Sequence, residues 1–209
     1  MKVLIIGARS DGHAKVVLEI LQVMKNTVVG FIDDDASKKG SKIRGIPILG
    51  MMSEIKAIAK KYKAKGAIAA IGDNPKRRKL SGQIEKSGLQ LVNAIHPTVH
   101  FDSDVKIGKG CYVGQGVIII TGTKIGNCVN IHTGATIDHD NVIEDGANLG
   151  PGVHTAGRVK IGKDAILGTG VLVIPDGVVE ERAIVGAGAV VIRTVKANTK
   201  VAGVPAKEI

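Results

Sequence analysis

The chain has 209 residues, 44% of them apolar, and a formal net charge of +10. Its aromatics are Phe31, Tyr62, Phe101 and Tyr112, with no tryptophan, which leaves too few stacking platforms for nucleic acid, and no nucleic-acid motif is present. No run of about 18 apolar residues occurs, so no membrane-spanning helix is expected, and the basic surplus suits anionic small molecules such as phosphorylated metabolites.

Residues 3–6 (Val-Leu-Ile-Ile) form a buried-strand run that Gly7 ends, too short for the apolar core of a secretory signal. The loop 7–12 leads into a helical stripe of Val16, Val17, Ile20, Leu21 and Met24. Residues 28–32 read as a second strand ending at Asp33-Asp34-Asp35, and 46–49 as a short extended piece. Ile55, Ile58 and Ala59 mark a second helix. Residues 67–71 give a strand closing on Gly72-Asp73-Asn74, followed by a basic helix over 75–86 and a last strand over 89–94. Strands alternating with helices predict a small parallel α/β sheet of Rossmann-like type. His96-Pro97 marks the boundary, because the residue before proline avoids helical backbone. The expected domains are therefore 1–94 and 95–209.

In such a sheet, ligands lie at the carboxyl ends of the strands. The loop 7–12 would offer backbone N–H groups to a phosphate at a helix N-terminus. Asp33 follows Gly12 at close to the distance where an acid meets a nucleotide ribose or base. Arg9, His13 and Arg77 could supply charge to a pyrophosphate. The full G-x-G-x-x-G pattern is absent, and a plain strand-to-helix turn with solvated acids is the alternative.

From Ile95 onward every sixth residue is apolar: Phe101, Ile107, Val113, Ile119, Ile125, Ile131, Ile137, Ile143 and Leu149, a break at Thr155, then Ile161, Leu167, Val173, Val179, Val185 and Val191. Neither helix nor alternating strand has this period. A short fixed repeat means stacked units that bury their apolar side only against each other, here a parallel β-helix with three hexads per coil and about five to six coils. The residue after the anchor is often glycine (Gly108, Gly114, Gly126, Gly150, Gly162, Gly168, Gly186), as expected if it forms the tight corner of a triangular coil. Four residues after the anchor the side chain is usually small or β-branched, so that both can point inward. The tail 201–207 should pack back over the last coil.

Cys111 and Cys128 fall at different hexad offsets, so no disulfide is expected and a reducing cytoplasm is the natural location. His132, His139 and His154 also differ in offset, which argues against the three-histidine zinc site found in some hexapeptide β-helices, and no metal is expected. His139 should point outward, between Asp138 and Asp140. One coil away lie Thr121 and Gly157, small enough to leave room for a ligand. An outward histidine whose tautomer a carboxylate fixes can be a general base; a surface histidine in an acidic turn is the bland alternative.

Several segments together resemble the bacterial sugar-nucleotide acetyltransferases of the hexapeptide-repeat superfamily. They are Ile5-Ile6-Gly7-Ala8, Gly12-His13-Ala14-Lys15-Val16-Val17, Gly30-Phe31-Ile32-Asp33-Asp34, Ile71-Gly72-Asp73-Asn74, Ile137-Asp138-His139-Asp140, Ala156-Gly157 and Gly203-Val204-Pro205-Ala206-Lys207. The family includes sialic acid O-acetyltransferases and N-acetyltransferases of UDP- or GDP-linked 4-amino sugars. The resemblance implies a Rossmann-like domain followed by a left-handed parallel β-helix, assembled as a homotrimer. The implied activity is transfer of acetyl from acetyl-CoA, a co-substrate with no permanently bound cofactor, to the amine or hydroxyl of a nucleotide-linked amino sugar for surface glycans. It further implies His139 as catalytic base with Asp140 as its acid partner. Gly7, His13, Asp33, Asp34, Gly72, Asn74 and Arg77 would form the nucleotide-sugar pocket. Asn148, Gly157, Thr169 and Ala187 would lie along the acetyl-CoA groove. Two departures stand out: the first loop is longer by two residues than the commonest family form, and Asn148 stands where some members carry a second histidine. A non-catalytic, nucleotide-sugar-binding trimeric scaffold is the alternative function.

Overall fold

In the computed structural model, Met1–Ile95 form one unit and His96–Ile209 another; residues 1–8 and 12–209 are described. In the first unit, β1 (Lys2–Ile6), α1 (His13–Val23), β2 (Thr27–Ile32), β3 (Lys42–Ile43), β4 (Ile46–Gly50), α2 (Ile55–Tyr62), β5 (Gly66–Ala69), α3 (Asn74–Lys86) and β6 (Gln90–Leu91) follow in order. The sheet order is β3-β4-β2-β1-β5-β6. All pairings are parallel except β3 with β4. Val3, Leu4, Ile5 and Ile6 are consecutive and buried, as a central strand covered on both faces requires. The sequence reading misses β3. It is two residues long and joins β4 through Arg44 and Gly45, both at positive φ, the two-residue hairpin geometry. Strand β5 ends at Ala69 rather than Ile71, and β6 covers only Gln90–Leu91. Asp73 caps α3 by accepting from the Lys76 amide at 2.7 Å, with Pro75 in the first turn.

The second unit is a left-handed β-helix of two-residue strands. Partners lie 18 residues apart, as in Tyr112–Val113 with Asn130–Ile131 and with Asn148–Leu149 in turn. Three parallel sheets result. One runs from Tyr112–Val113 to Lys200–Ala202, one from His100–Phe101 to Val190–Val191, and one from Lys106–Ile107 to Val178–Val179. The anchors Ile119, Ile131, Ile137, Leu149, Ile161, Leu167, Val179, Val185 and Val191 are fully buried, with Val117, Val129, Ala135, Ala147, Val153 and Ala165 beside them. The tail closes the last coil: Lys207–Glu208 pairs antiparallel to Lys200–Ala202, and the Ala206 amide donates to the Val190 carbonyl at 2.8 Å.

The glycines after the anchors have a different cause from the expected corner. A Cβ on Gly108 would lie 2.6 Å from the Gly126 oxygen, and one on Gly168 would lie 2.7 Å from the Ala187 nitrogen. These glycines let one coil seat on the next. The left-handed corner falls two residues later, at Gly110, Gly116 and Gly134 but also at Cys128, Asp140, Arg158, Asp176 and Arg182. No helix among the described residues is long and apolar enough to cross a membrane.

Candidate active site

His139 stands on the corner after the strand Thr136–Ile137, its side chain 40% exposed. Three features set it. Asp140 has φ 58°, which turns its carboxylate back so that Oδ2 lies 2.8 Å from His139 Nδ1. The carboxylate accepts, so Nδ1 carries the proton and Nε2 keeps a lone pair. The Asp138 carboxylate accepts from the His139 amide at 2.7 Å. Two glycines make room: a Cβ on Gly122 would collide with the Asp140 carboxylate, and one on Gly157 with His139 Nε2. The space expected at Gly157 for a ligand is therefore filled by the imidazole itself. Thr121 lies one coil away, its hydroxyl donating to Asp104 and its carbonyl accepting from the Asp140 amide.

Directly above Asp140 comes an ion pair. Arg158 Nε and NH2 donate to Asp176 at 2.7 and 2.9 Å. The Arg158 hydrogen bond holds the Asp176 carboxyl below its ordinary range, and Asp176 in turn raises Arg158. One column thus reads acid, base, acid on three successive coils.

Beneath the corner, the prism interior turns polar. Thr123 and Asn141 are fully buried and Thr155 nearly so. The Asn141 side-chain amide donates to the carbonyls of Asp138, His139 and Ala156 at 2.8, 3.1 and 2.9 Å. The Thr123 hydroxyl donates to the Asp138 carbonyl at 2.9 Å and accepts from the Asn141 amide. Sequence reasoning misses Asn141, although a signal exists: it is the one amide at the inward position four residues after an anchor.

The residues expected along the acetyl-CoA groove do not gather within one chain. Thr169 and Ala187 occupy the same exposed corner one coil apart, Gly157 sits in the His139 corner, and Asn148 lies on a sheet face. There Asn148 Oδ1 is 3.3 Å from His132 Nε2 and 3.5 Å from Asn130 Nδ2, while His132 packs against the Tyr112 ring with centroids 5.2 Å apart.

In the first unit a cavity of about 220 Å³ opens at the carboxyl ends of β1 and β2, lined by Ile6, Gly7, Ile32, Asp33–Asp35, Met52, Ile71, Lys76 and Leu80. It lies where the strand order reverses across β1, the usual ligand position of an open parallel sheet. Two further cavities, about 550 and 450 Å³, share Asp34 with it and add Lys56, Lys79 and Lys86. Asp33 spends its carboxylate internally. Oδ2 accepts from the Ala8 amide at 2.8 Å, and Oδ1 accepts from Asp35 N and Lys38 Nζ at 3.0 and 3.2 Å. Burial pushes its carboxyl up, but these donors outweigh that and hold it below the ordinary value. Asp34 receives the Met52 amide at 2.9 Å and lines all three cavities.

Two of the residues expected in this pocket are buried. Arg77 is fully buried, its guanidinium donating to the Ile71 carbonyl at 3.1 Å, and Asn74 is buried too. Arg77 braces the turn from inside, and neither side chain is among the residues that line the three cavities. Gly72 is exposed in that turn, and His13 is half-buried at the start of α1. Arg9 lies outside the described residues.

The PglD N-terminal domain family matches residues 2–84. Perosamine N-acetyltransferase from Caulobacter crescentus, solved with CoA and GDP-perosamine, is 37% identical over 100% of this chain and 97% of that one, with a TM-score of 0.93. The acetyltransferase domain of PglB from Neisseria gonorrhoeae, solved with acetyl coenzyme A, is 28% identical over 100% and 98% of the two chains, with a TM-score of 0.89. WeeI from Acinetobacter baumannii is 26% identical over the full length of both, with a TM-score of 0.79. An uncharacterized protein, L142 of Acanthamoeba polyphaga mimivirus, is 34% identical over 118 residues, which are 56% of this chain and 22% of that longer protein.

Proposed function

Because this chain belongs to the hexapeptide-repeat family of sugar acetyltransferases, we propose that it moves acetyl from acetyl-CoA to the amine of a nucleotide-linked amino sugar, with His139 as general base. The observation that carries the reading is the His139–Asp140 pair, built by a left-handed turn and seated on the bare face of Gly157. Nδ1 is engaged by Asp140, so Nε2 is the atom free to accept a proton. As the amine nitrogen attacks the thioester carbonyl, the C–N bond forms and Nε2 takes the proton that nitrogen sheds. Collapse of the tetrahedral intermediate breaks the C–S bond and releases CoA as its thiol, to which the imidazolium returns the proton.

The strand-end cavity of the first unit suits the nucleotide, with Gly7 and Asp34 at its wall and lysines 76 and 79 available to phosphates. An outward histidine on a single prism has no facing wall, which favours a homotrimer in which acetyl-CoA lies between prisms. The residues Asn148, Thr169 and Ala187, scattered within one chain, would then line grooves completed by a neighbour. Cys111 and Cys128 are buried thiols outside any disulfide, which agrees with a cytoplasmic protein.

The test is thiol release from acetyl-CoA with GDP-, UDP- and CMP-linked amino sugars in parallel. The expected result is turnover with one nucleotide class, and a loss of about 10²–10⁴-fold in kcat for His139→Ala with acetyl-CoA affinity retained. Wild-type turnover by that variant overturns the assignment. Nucleotide-sugar binding with no turnover on any donor would leave a scaffold as the function.

A further inference from the structure

We propose that Asn141, inside the prism, is a positioning residue for His139; the inference rests on His139 being the base. In this unit of the described chain, the polar side chains directed into the prism are Thr123, Asn141 and Thr155, on three successive coils. All three lie around the segment Asp138–Asp140. Elsewhere the described interior is filled by Ile, Val, Leu and Ala, with Cys111 in an early coil.

Stability does not explain them. Asn141 Oδ1 and Thr155 Oγ1 are buried with no hydrogen-bond partner among the described residues, a penalty that an apolar side chain of the same size would avoid. One coil above, the position equivalent to Asn141 is Val159, buried and apolar. The corner itself does not require an amide either. Arg158 and Asp176 make the same left-handed turn at φ 60°, and Val159 and Gly177 follow them without any side-chain donor.

What distinguishes the Asp138–Asp140 corner is the ring it carries. Two amide protons of Asn141 serve three carbonyls, those of Asp138, His139 and Ala156. The amide therefore ties the backbone on both sides of the imidazole to the coil above, where Gly157 forms the seat for Nε2. The Arg158 amide reaches the same His139 carbonyl at 2.9 Å, and the Thr123 hydroxyl shares the Asp138 carbonyl. The result is a fixed backbone from which the ring projects toward Gly157 with Nδ1 on Asp140.

A double-mutant cycle tests this. Asn141→Val supplies the residue found one coil above, and it should fold with a melting temperature no lower than wild type. Its kcat should fall by about 10²-fold, the scale of an ångström of misplacement, with both KM values unchanged. Placed in the His139→Ala background, the same substitution should lower kcat no further, because the group it positions is already gone. Thr123→Val, also isosteric, should give a smaller loss with the same dependence on His139, and it carries the test if Asn141→Val does not fold. Wild-type kcat in Asn141→Val overturns the proposal. So does an equal loss with and without His139, which would mark a structural role while leaving His139 as base. If His139→Ala alone keeps the wild-type rate, the base assignment fails first and this proposal with it.

Discussion

The two units place their candidate chemistry against opposite backgrounds. In the β-helix, each position has register mates 18 residues away with the same backbone and the same surroundings, so a departure is visible against its own neighbours. Thr155 among the anchors, Asn141 among the small inward residues and Gly157 one coil above His139 are departures of this kind. In the α/β unit no such background exists. Its strand-end loops each occur once, and a buried arginine such as Arg77 looks like any other cation of a basic helix. A repeat therefore separates framework from chemistry residue by residue, whereas an open sheet marks only the place where ligands gather.

The separation within the β-helix can be broken most severely through its framework. Ile131 is fully buried in the middle of one sheet. Ile131→Ala should cost about 2–5 kcal/mol of stability through lost transfer energy and the cavity left behind. Denaturant titration measures that loss, and kcat per folded molecule should not change. A parallel fall in kcat at temperatures where the protein remains folded would show that framework and site are not separable.

Gly157→Ala is the converse. The added Cβ meets the imidazole of His139, an end group that can swing away, so the melting temperature should stay near wild type. Nε2 would leave its seat, and kcat should fall by about 10²-fold. If instead the KM for acetyl-CoA rises and kcat holds, Gly157 is a wall of the CoA groove, as the sequence resemblance implies.

These two substitutions also mark how far the sequence could be read. The six-residue beat placed every coil and the outward direction of His139, because the register of anchors leaves no freedom. It did not reveal why glycine follows the anchor. Contact between stacked backbones, as at Gly108 on Gly126, is a property of two coils, not of one hexad. Nor did it reveal the left-handed corner, since Asp140, Arg158 and Asp176 hold φ values that glycine holds elsewhere. In the α/β unit the strands were legible as apolar runs. The inward turn of Arg77 and Asn74 was not, because their burial depends on what α3 packs against, and a local stretch of charged residues carries no trace of it.

Asp33 sharpens the contrast from the other unit. Its carboxylate joins the end of β1 to the end of β2 through the Ala8 amide, so it shapes the cavity wall. Asp33→Asn weakens that charge-assisted bond, and loss of about 1.5 kcal/mol corresponds to about tenfold weaker nucleotide-sugar binding. Acetyl-CoA affinity, assigned to the β-helix, should be untouched when both are measured by calorimetry. A joint fall in both affinities would contradict the division of labour between the units.

The smallest expected effect is the acid sensitivity that Asp33 lends the α/β unit. The Asp33 carboxyl is held below its ordinary value because the Asp35 and Ala8 amides and Lys38 together outweigh its burial. A carboxyl depressed in the folded state stabilises that state above its unfolded pKa, near 4, where it is ionised in both. The contribution is lost as pH falls from there through the folded value. Between pH 7 and 5 the melting temperature of the wild type should therefore not respond to Asp33. Below about 4 it should fall, and it should fall less in Asp33→Asn, which has no proton to take up. Asp35, held low chiefly by the Ser37 hydroxyl and amide, titrates in the same direction on the surface of the same loop, so the comparison needs the Asp33 variant and not the wild-type profile alone. An identical acid slope in both proteins would mean that the link from Asp33 to Ala8 contributes nothing to the folded state, and the cavity wall would have to be held by the backbone pairing of β1 with β2.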